Sequence, residues 1–143
     1  MTLTRRYRFS ASHRLHSPAL SESENQEIYG RCNNPYGHGH NYVLEVSVEG
    51  DPHRESGRVM AISDLDALVR DHVLAVYDGK NINADIQAFQ GNLVPTTENV
   101  AADIRARLEE VWPAAGQPFG HTPKAPALQG VRLFETPKNI FDI

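Results

Sequence analysis

Cysteine is almost absent from this chain: Cys32 stands alone among 143 residues. An intrachain disulfide framework is thereby excluded, and the fold must rest on an apolar core. No run approaches the roughly 18 apolar residues that a membrane span requires. Met1 to Phe9 sets Arg among Tyr and Phe, where a signal peptide would need a continuous apolar stretch. These absences give the expectation of a cytoplasmic protein. A basic excess is missing too, because 14 Lys and Arg face 18 Asp and Glu, a formal net charge of −4. The chain therefore carries no electrostatic footprint for DNA or RNA. A small anionic substrate stays open, since a few local cations suffice to hold one. With no internal repeat or low-complexity tract, residues 1–143 are expected to form one domain around one core.

Periodicity organises what is present. Read at period two, Tyr7, Phe9, Ala11 and His13 share one face of a first strand. A second strand begins near Gly37 and carries His38, His40, Tyr42, Leu44, Val46 and Val48 on one face. Gly and Pro then bracket a polar turn, and Arg58 to Ile62 reads as a short third strand. The period changes to 3.6 with Leu65, Leu68, Val69, Val73 and Val76, the stripe of a helix capped by Ser63 and ending near Tyr77. A loop rich in Gly, Asn and Asp leads to Pro95. A second helix opens at Thr96 or Thr97, buries Val100, Ile104, Leu108 and Val111, and stops at Pro113. Residues 113–130 read as a surface excursion, and Val131 to Glu135 and Asn139 to Ile143 as closing strands. The fold class is α+β, an antiparallel sheet with a pair of helices on one face.

The chemistry gathers around histidine. Two histidines two apart in a strand project from the same face, about 6.5–7 Å apart at the backbone, so both imidazoles can converge on one ion. A third imidazole from His13 on a neighbouring strand would complete a set of three neutral nitrogens, which suits Zn2+ and leaves one coordination position open. The competing reading is that such residues are ordinary polar groups at strand ends. His72, between Leu68 and Val76, reads as a core or interface histidine, and His16, His53 and His121 as exposed loop residues. Cys32 precedes His38 by six residues across a turn rich in Asn, Pro and Gly. That turn can fold the thiol back toward the metal, where zinc and Arg31 would favour the thiolate a base requires. Taken alone, Cys32 would be a small buried hydrophobe.

Four segments together resemble the 6-pyruvoyltetrahydropterin synthase and 6-carboxytetrahydropterin synthase family. They are Phe9-Ser10-Ala11-Ser12-His13, the stretch from Cys32 to Tyr42, Pro95-Thr96-Thr97-Glu98-Asn99-Val100, and Phe134-Glu135-Thr136 with Asn139. The resemblance implies the T-fold, a ββααββ subunit whose sheets join around a threefold axis, commonly as a homohexamer of two stacked trimers with active sites at subunit interfaces. It implies a zinc-dependent lyase acting on 7,8-dihydroneopterin triphosphate, with His13, His38 and His40 as ligands and Cys32 taking a side-chain proton. The 6-pyruvoyl or 6-carboxy products serve tetrahydrobiopterin or queuosine biosynthesis. By the same resemblance Glu135 anchors the pterin through two parallel hydrogen bonds, and Thr96, Thr97 and Glu98 help to hold it. Glu135 is also in phase with Val131 and Leu133, a charge on an apolar face that would be costly unpaired; local capping or pairing at the strand end is the plainer alternative.

One departure stands out. The family's loop after the first helix carries Asp-His, completing a Cys-Asp-His catalytic set, whereas this chain reads Asp78-Gly79. Proton return would then fall to water, Lys80 or a distant histidine such as His121, or be absent. Three readings follow: a pterin synthase with altered acid–base chemistry, a pterin side-chain aldolase or lyase, and a zinc- and pterin-binding protein with little activity. Candidates to meet a triphosphate are Arg14, Arg31 and Lys80.

Overall fold

The computed structural model describes residues 1–143. Strand β1 (Thr2–His13) pairs antiparallel with β2 (His38–Glu49), in a register that sets His13 opposite His38, Ala11 opposite His40 and Phe9 opposite Tyr42. Strand β4 (Ala127–Phe134) lies on the other side of β2, and β5 (Ile140–Asp142) closes that edge. Residues Lys80–Asn81, β3, run parallel to β1 at the opposite edge, so the order is β3-β1-β2-β4-β5. That short parallel pair is the one exception to the expected antiparallel sheet.

Period-two burial drives the sheet onto its helices. Tyr42, Leu44, Val46 and Val48 are fully buried, as are Leu65, Val69, Val73, Val100, Ile104 and Leu108 from the helical layer. Each such aliphatic side chain contributes about 1.5–3 kcal/mol relative to exposure. The first long helix is composite. It comprises α2 (Ile62–Val69), a π-helical turn over Arg70–Leu74, and α3 (Ala75–Tyr77). The wider turn carries His72, which is half-buried rather than sunk in the core. After the short α4 (Ile82–Asp85), the second long helix, α5 (Thr97–Val111), is capped by Thr96, whose hydroxyl accepts from the Asn99 N–H. No helix is long and apolar enough to cross a membrane.

Several local expectations are corrected. Arg58 to Ile62 forms no strand: residues 58–61 bend into α2, and Val59, Met60 and Ala61 are buried there at the helix entrance. Ala61, not Ser63, is the N-cap. A side chain from far along the chain explains this, because Thr122 Oγ1 accepts from the Ala61 N–H at 3.0 Å and donates to the Asp64 carboxylate. The same carboxylate accepts from the His121 N–H, so it pins the excursion to α2. An unanticipated helix, α1 (Glu22–Tyr29), begins with a reciprocal capping box between Ser21 and Glu24. The loop up to Pro95 is more ordered than its composition suggests and buries Ile82, Ile86 and Phe89. His121 is exposed as expected, whereas His16 and His53 are half-buried.

Candidate functional site

The C-terminal end of β1 and the N-terminal end of β2 meet beneath the loop that enters α5. Gly37, with φ of +70°, permits this approach, since a Cβ there would lie 2.9 Å from the His13 carbonyl oxygen. His13 and His40 then fall in phase with the buried faces of their strands. The rings of His13, His38 and His40 pack edge to face with centroids 4.7–5.1 Å apart. One nitrogen from each lies within 4.8 Å of the others.

The protonation of this cluster follows from its surroundings. His13, 1% exposed, donates its Nδ1–H to the Pro95 carbonyl at 2.8 Å. That contact leaves a lone pair on Nε2, which lies 3.1 Å from His38 Nε2. Burial, with a smaller contribution from neighbouring imidazoles, lowers the His13 pKa to about 4. Burial likewise lowers that of His40, whose Nε2 is buried without any hydrogen-bond partner. Three converging nitrogens with one left unsatisfied form a donor set suited to zinc. A carbonyl that fixes the outer ring nitrogen is the usual support for such a ligand.

Glu135 closes the cluster. Its side chain is 14% exposed, with Oε1 3.5 Å from His13 Nε2 and 3.6 Å from His40 Nε2. Oε2 accepts from Asn139 Nδ2 at 2.7 Å, and the same amide reaches Thr97 Oγ1 at 3.4 Å. Thr97 is buried, Thr96 is engaged as the helix cap, and Glu98 is exposed on the first turn of α5. The structure thus joins Thr97 to Glu135 through Asn139 and leaves Glu98 outside the cluster.

Cys32 sits in a tight helical turn, Gly30–Asn33, tied to β1's continuation by the Leu15 N–H donating to the Cys32 carbonyl at 2.8 Å. Burial, then the charge of Glu135, raises the thiol's pKa. Arg31 is exposed and plays no part in that shift. The expectation that Arg31 favours the thiolate is therefore corrected. The protein's own charges favour the thiol, and only a cation at the cluster would oppose them.

Asp78 lies elsewhere. Its carboxylate accepts from the Ser10 N–H at 2.9 Å, and the Gly79 N–H donates to the Ser10 carbonyl at 2.7 Å. Both bonds hold the residues after α3 against the edge of β1, outside the histidine group. Gly79 has φ of +71°, and a Cβ there would meet nothing within 4 Å. A depression of about 520 Å³ nevertheless includes Gly79, Lys80, Asn41 and His40 in its lining. Arg14 is engaged, its guanidinium donating to the Asn33 carbonyl and its backbone paired with the Asn83 side chain. Two contributors escaped the sequence reading. The Pro95 carbonyl orients His13, and Tyr42, stacked on Phe9, buries a hydroxyl with no partner. Tyr42's phase with His40 was a signal for the second; nothing in the sequence marks the carbonyl.

Comparison with known proteins gives a consistent result. A family model described as 6-pyruvoyl tetrahydropterin synthase matches residues 2–143. The chain is 42% identical over 138 residues to a Poecilia reticulata 6-pyruvoyl tetrahydrobiopterin synthase, covering 96% of this chain and 86% of that protein. The Homo sapiens protein of the same name is 40% identical over 138 residues, covering 96% and 87%. A Rickettsia bellii 6-carboxy-5,6,7,8-tetrahydropterin synthase is 29% identical over 157 residues, covering 98% and 97%. The structure of Caenorhabditis elegans 6-pyruvoyl tetrahydropterin synthase superposes with a TM-score of 0.86 at 39% identity, covering 100% of this chain and 94% of that one.

Proposed function

The chain belongs to the 6-pyruvoyl tetrahydropterin synthase family, and on that premise we propose that it is a zinc-dependent lyase acting on 7,8-dihydroneopterin triphosphate. The observation that carries this reading is the convergence of three imidazole nitrogens, with His40 Nε2 buried and unpartnered. His13, His38 and His40 would hold the ion. Zinc bound there supplies Lewis acidity, polarising side-chain hydroxyls of the substrate and acidifying the neighbouring C–H bond.

The protein's own groups do the rest. Glu135 offers a carboxylate to the ring N–H and its adjacent amino group, a planar two-bond recognition. Asn139 steadies that carboxylate and Thr97 steadies Asn139. Cys32 Sγ, once ionised, removes the side-chain proton. Loss of triphosphate and rearrangement then give a 6-pyruvoyl product, or a 6-carboxy product with further loss of two carbons. Proton return falls to water or Lys80, which shares a depression with His40. His121 lies at the entrance of α2, where its backbone N–H donates to Asp64 and its side chain is exposed.

The 1–143 unit is a single domain in this reading, cytoplasmic and assembled as a homo-oligomer, a trimer or hexamer. Incubating zinc-loaded protein with 7,8-dihydroneopterin triphosphate and identifying products by mass spectrometry tests the reaction. Release of triphosphate with a pyruvoyl or carboxy pterin supports it; a 6-hydroxymethyl pterin would replace it with an aldol cleavage, the second reading that Gly79 favours. Gly79→His should raise turnover to the pyruvoyl or carboxy product, while the left-handed backbone there costs about 1–2 kcal/mol of stability. Unchanged turnover in a wild type inert to this substrate would favour the second reading or a binding protein with little activity.

A further inference from the structure

Four basic side chains gather around a cavity of about 190 Å³ that the proposed reaction does not use. The residues after β2 supply His53, Ser56 and Arg58, the first turn of α2 supplies Ser63, and the excursion supplies His121 and Lys124. Val59, in the cavity wall, lies beside Gly50 just past the end of β2. His38 and His40 stand at the start of that 12-residue strand. At about 3.4 Å per residue, roughly 35–40 Å of strand separates the two places.

Charge sets this cavity apart. No Asp or Glu lines it, in a chain whose formal net charge is −4. Arg58 and Lys124 take part in none of the protein's ion pairs. Asp64, which meets the same segment, is committed to the Thr122 hydroxyl and the His121 N–H. His53 adds an independent sign, because its Nδ1 is buried without a hydrogen-bond partner. The backbone of that residue is tied down: its N–H donates to the Arg58 carbonyl at 2.9 Å and its carbonyl accepts from the Gly57 N–H at 2.7 Å. Buried polar atoms are nearly always paired, and here the lining offers cations and hydroxyls around the one that is not.

Such a lining fits an oxyanion. Arg and Lys recognise phosphate through charge-assisted hydrogen bonds. The volume falls below the roughly 300–1,000 Å³ of sites for drug-sized molecules, so an ion fits where a pterin or nucleoside does not. We propose that this cavity binds a phosphate dianion between Arg58 and Lys124, with His53 donating to it, and that the ion fastens the excursion to the loop after β2. Thr122 already joins the excursion to α2 through Ala61 and Asp64. The anion adds a second clasp, independent of the histidine cluster, and a ligand that binds only the folded chain raises its Tm.

The test titrates inorganic phosphate into the full chain at mildly alkaline pH, following the histidine ring resonances by NMR and Tm by thermal unfolding. The rings of His53 and His121 should shift in a saturable way while those of His38 and His40 stay, and Tm should rise. Arg58 and Lys124 are exposed, so Arg58→Gln and Lys124→Gln should fold, and each should bind phosphate about 10-fold more weakly. A free ion and the end of a larger ligand present the same dianion. Binding of phenyl phosphate as well would identify the second source, and its exclusion the first. Undiminished binding in the double variant, or shifts confined to His38 and His40, would overturn the proposal. So would an equal response to sodium chloride at matched ionic strength, which would reduce the effect to screening.

Discussion

The β1–β2 ladder has two ends, and they treat polar groups in opposite ways. Toward the Thr2–Glu49 end polar side chains pair with one another: Thr4 with Ser47, Arg6 with Glu45, and Arg5 and Tyr7 with Asp66. At the His13–His38 end the strands bury His40 Nε2 and Tyr42 OH without partners and turn a carboxylate toward basic nitrogens. A buried polar atom left unsatisfied costs about 1–3 kcal/mol. Polar groups at the first end hold the fold together, whereas at the second they are kept available for a ligand.

The most direct way to break this contrast is to remove a ligand. His38→Ala or His40→Ala should lower zinc affinity by more than the roughly 10- to 100-fold that losing an outer-shell partner costs, and turnover should vanish with it. Metal analysis of the purified variants reads the first effect, and full zinc occupancy in either would erase the distinction between the two ends. Cys32→Ala should keep its zinc and lose about 10²- to 10⁴-fold in turnover, the usual contribution of a positioned base. Wild-type rates in that variant would show that the thiol is only packing.

A pH series sharpens the comparison next. Above pH 6.5 His13 is neutral whether folded or unfolded, so it leaves stability unaffected. Between pH 6.5 and about 4 the unfolded chain takes up a proton that the folded chain refuses, and stability falls as pH falls. The loss amounts to roughly 3 kcal/mol in all. Denaturant unfolding of metal-free protein should show this decline, reduced by that amount in His13→Gln; equal slopes in the two proteins would contradict it. The smallest effect belongs to the other end. Arg6, with a side chain 62% exposed, pairs with Glu45 on the surface, and Arg6→Ala should shift unfolding by about 0.2–1 kcal/mol. Zinc content there should be unchanged.

The histidine end was legible in the sequence because strand periodicity is strict. Two-residue spacing puts His38, His40 and Tyr42 on one face, and His13 follows Phe9 and Ala11 in phase. Glu135 was legible for the same reason, standing two residues beyond Leu133. What escaped depends on partners remote in the chain. Ser63 looks like a helix cap until Thr122, nearly sixty residues on, accepts from the Ala61 N–H. Helix α1 shows no apolar stripe because its buried residue is Asn25, whose amide is satisfied by Ser17, Leu20 and Ser21. The Asp78 carboxylate accepts from a β1 backbone N–H. That bond belongs to the edge where β3 joins the sheet, and local pattern carries no record of it.

Zinc K-edge absorption on the purified, substrate-free protein tests the central claim most directly. Three imidazole nitrogens at about 2.0–2.1 Å with one oxygen beside them and no sulfur is the predicted shell. Sulfur at about 2.3 Å, which would make Cys32 a ligand instead of a base, or fewer than three imidazoles, would contradict it.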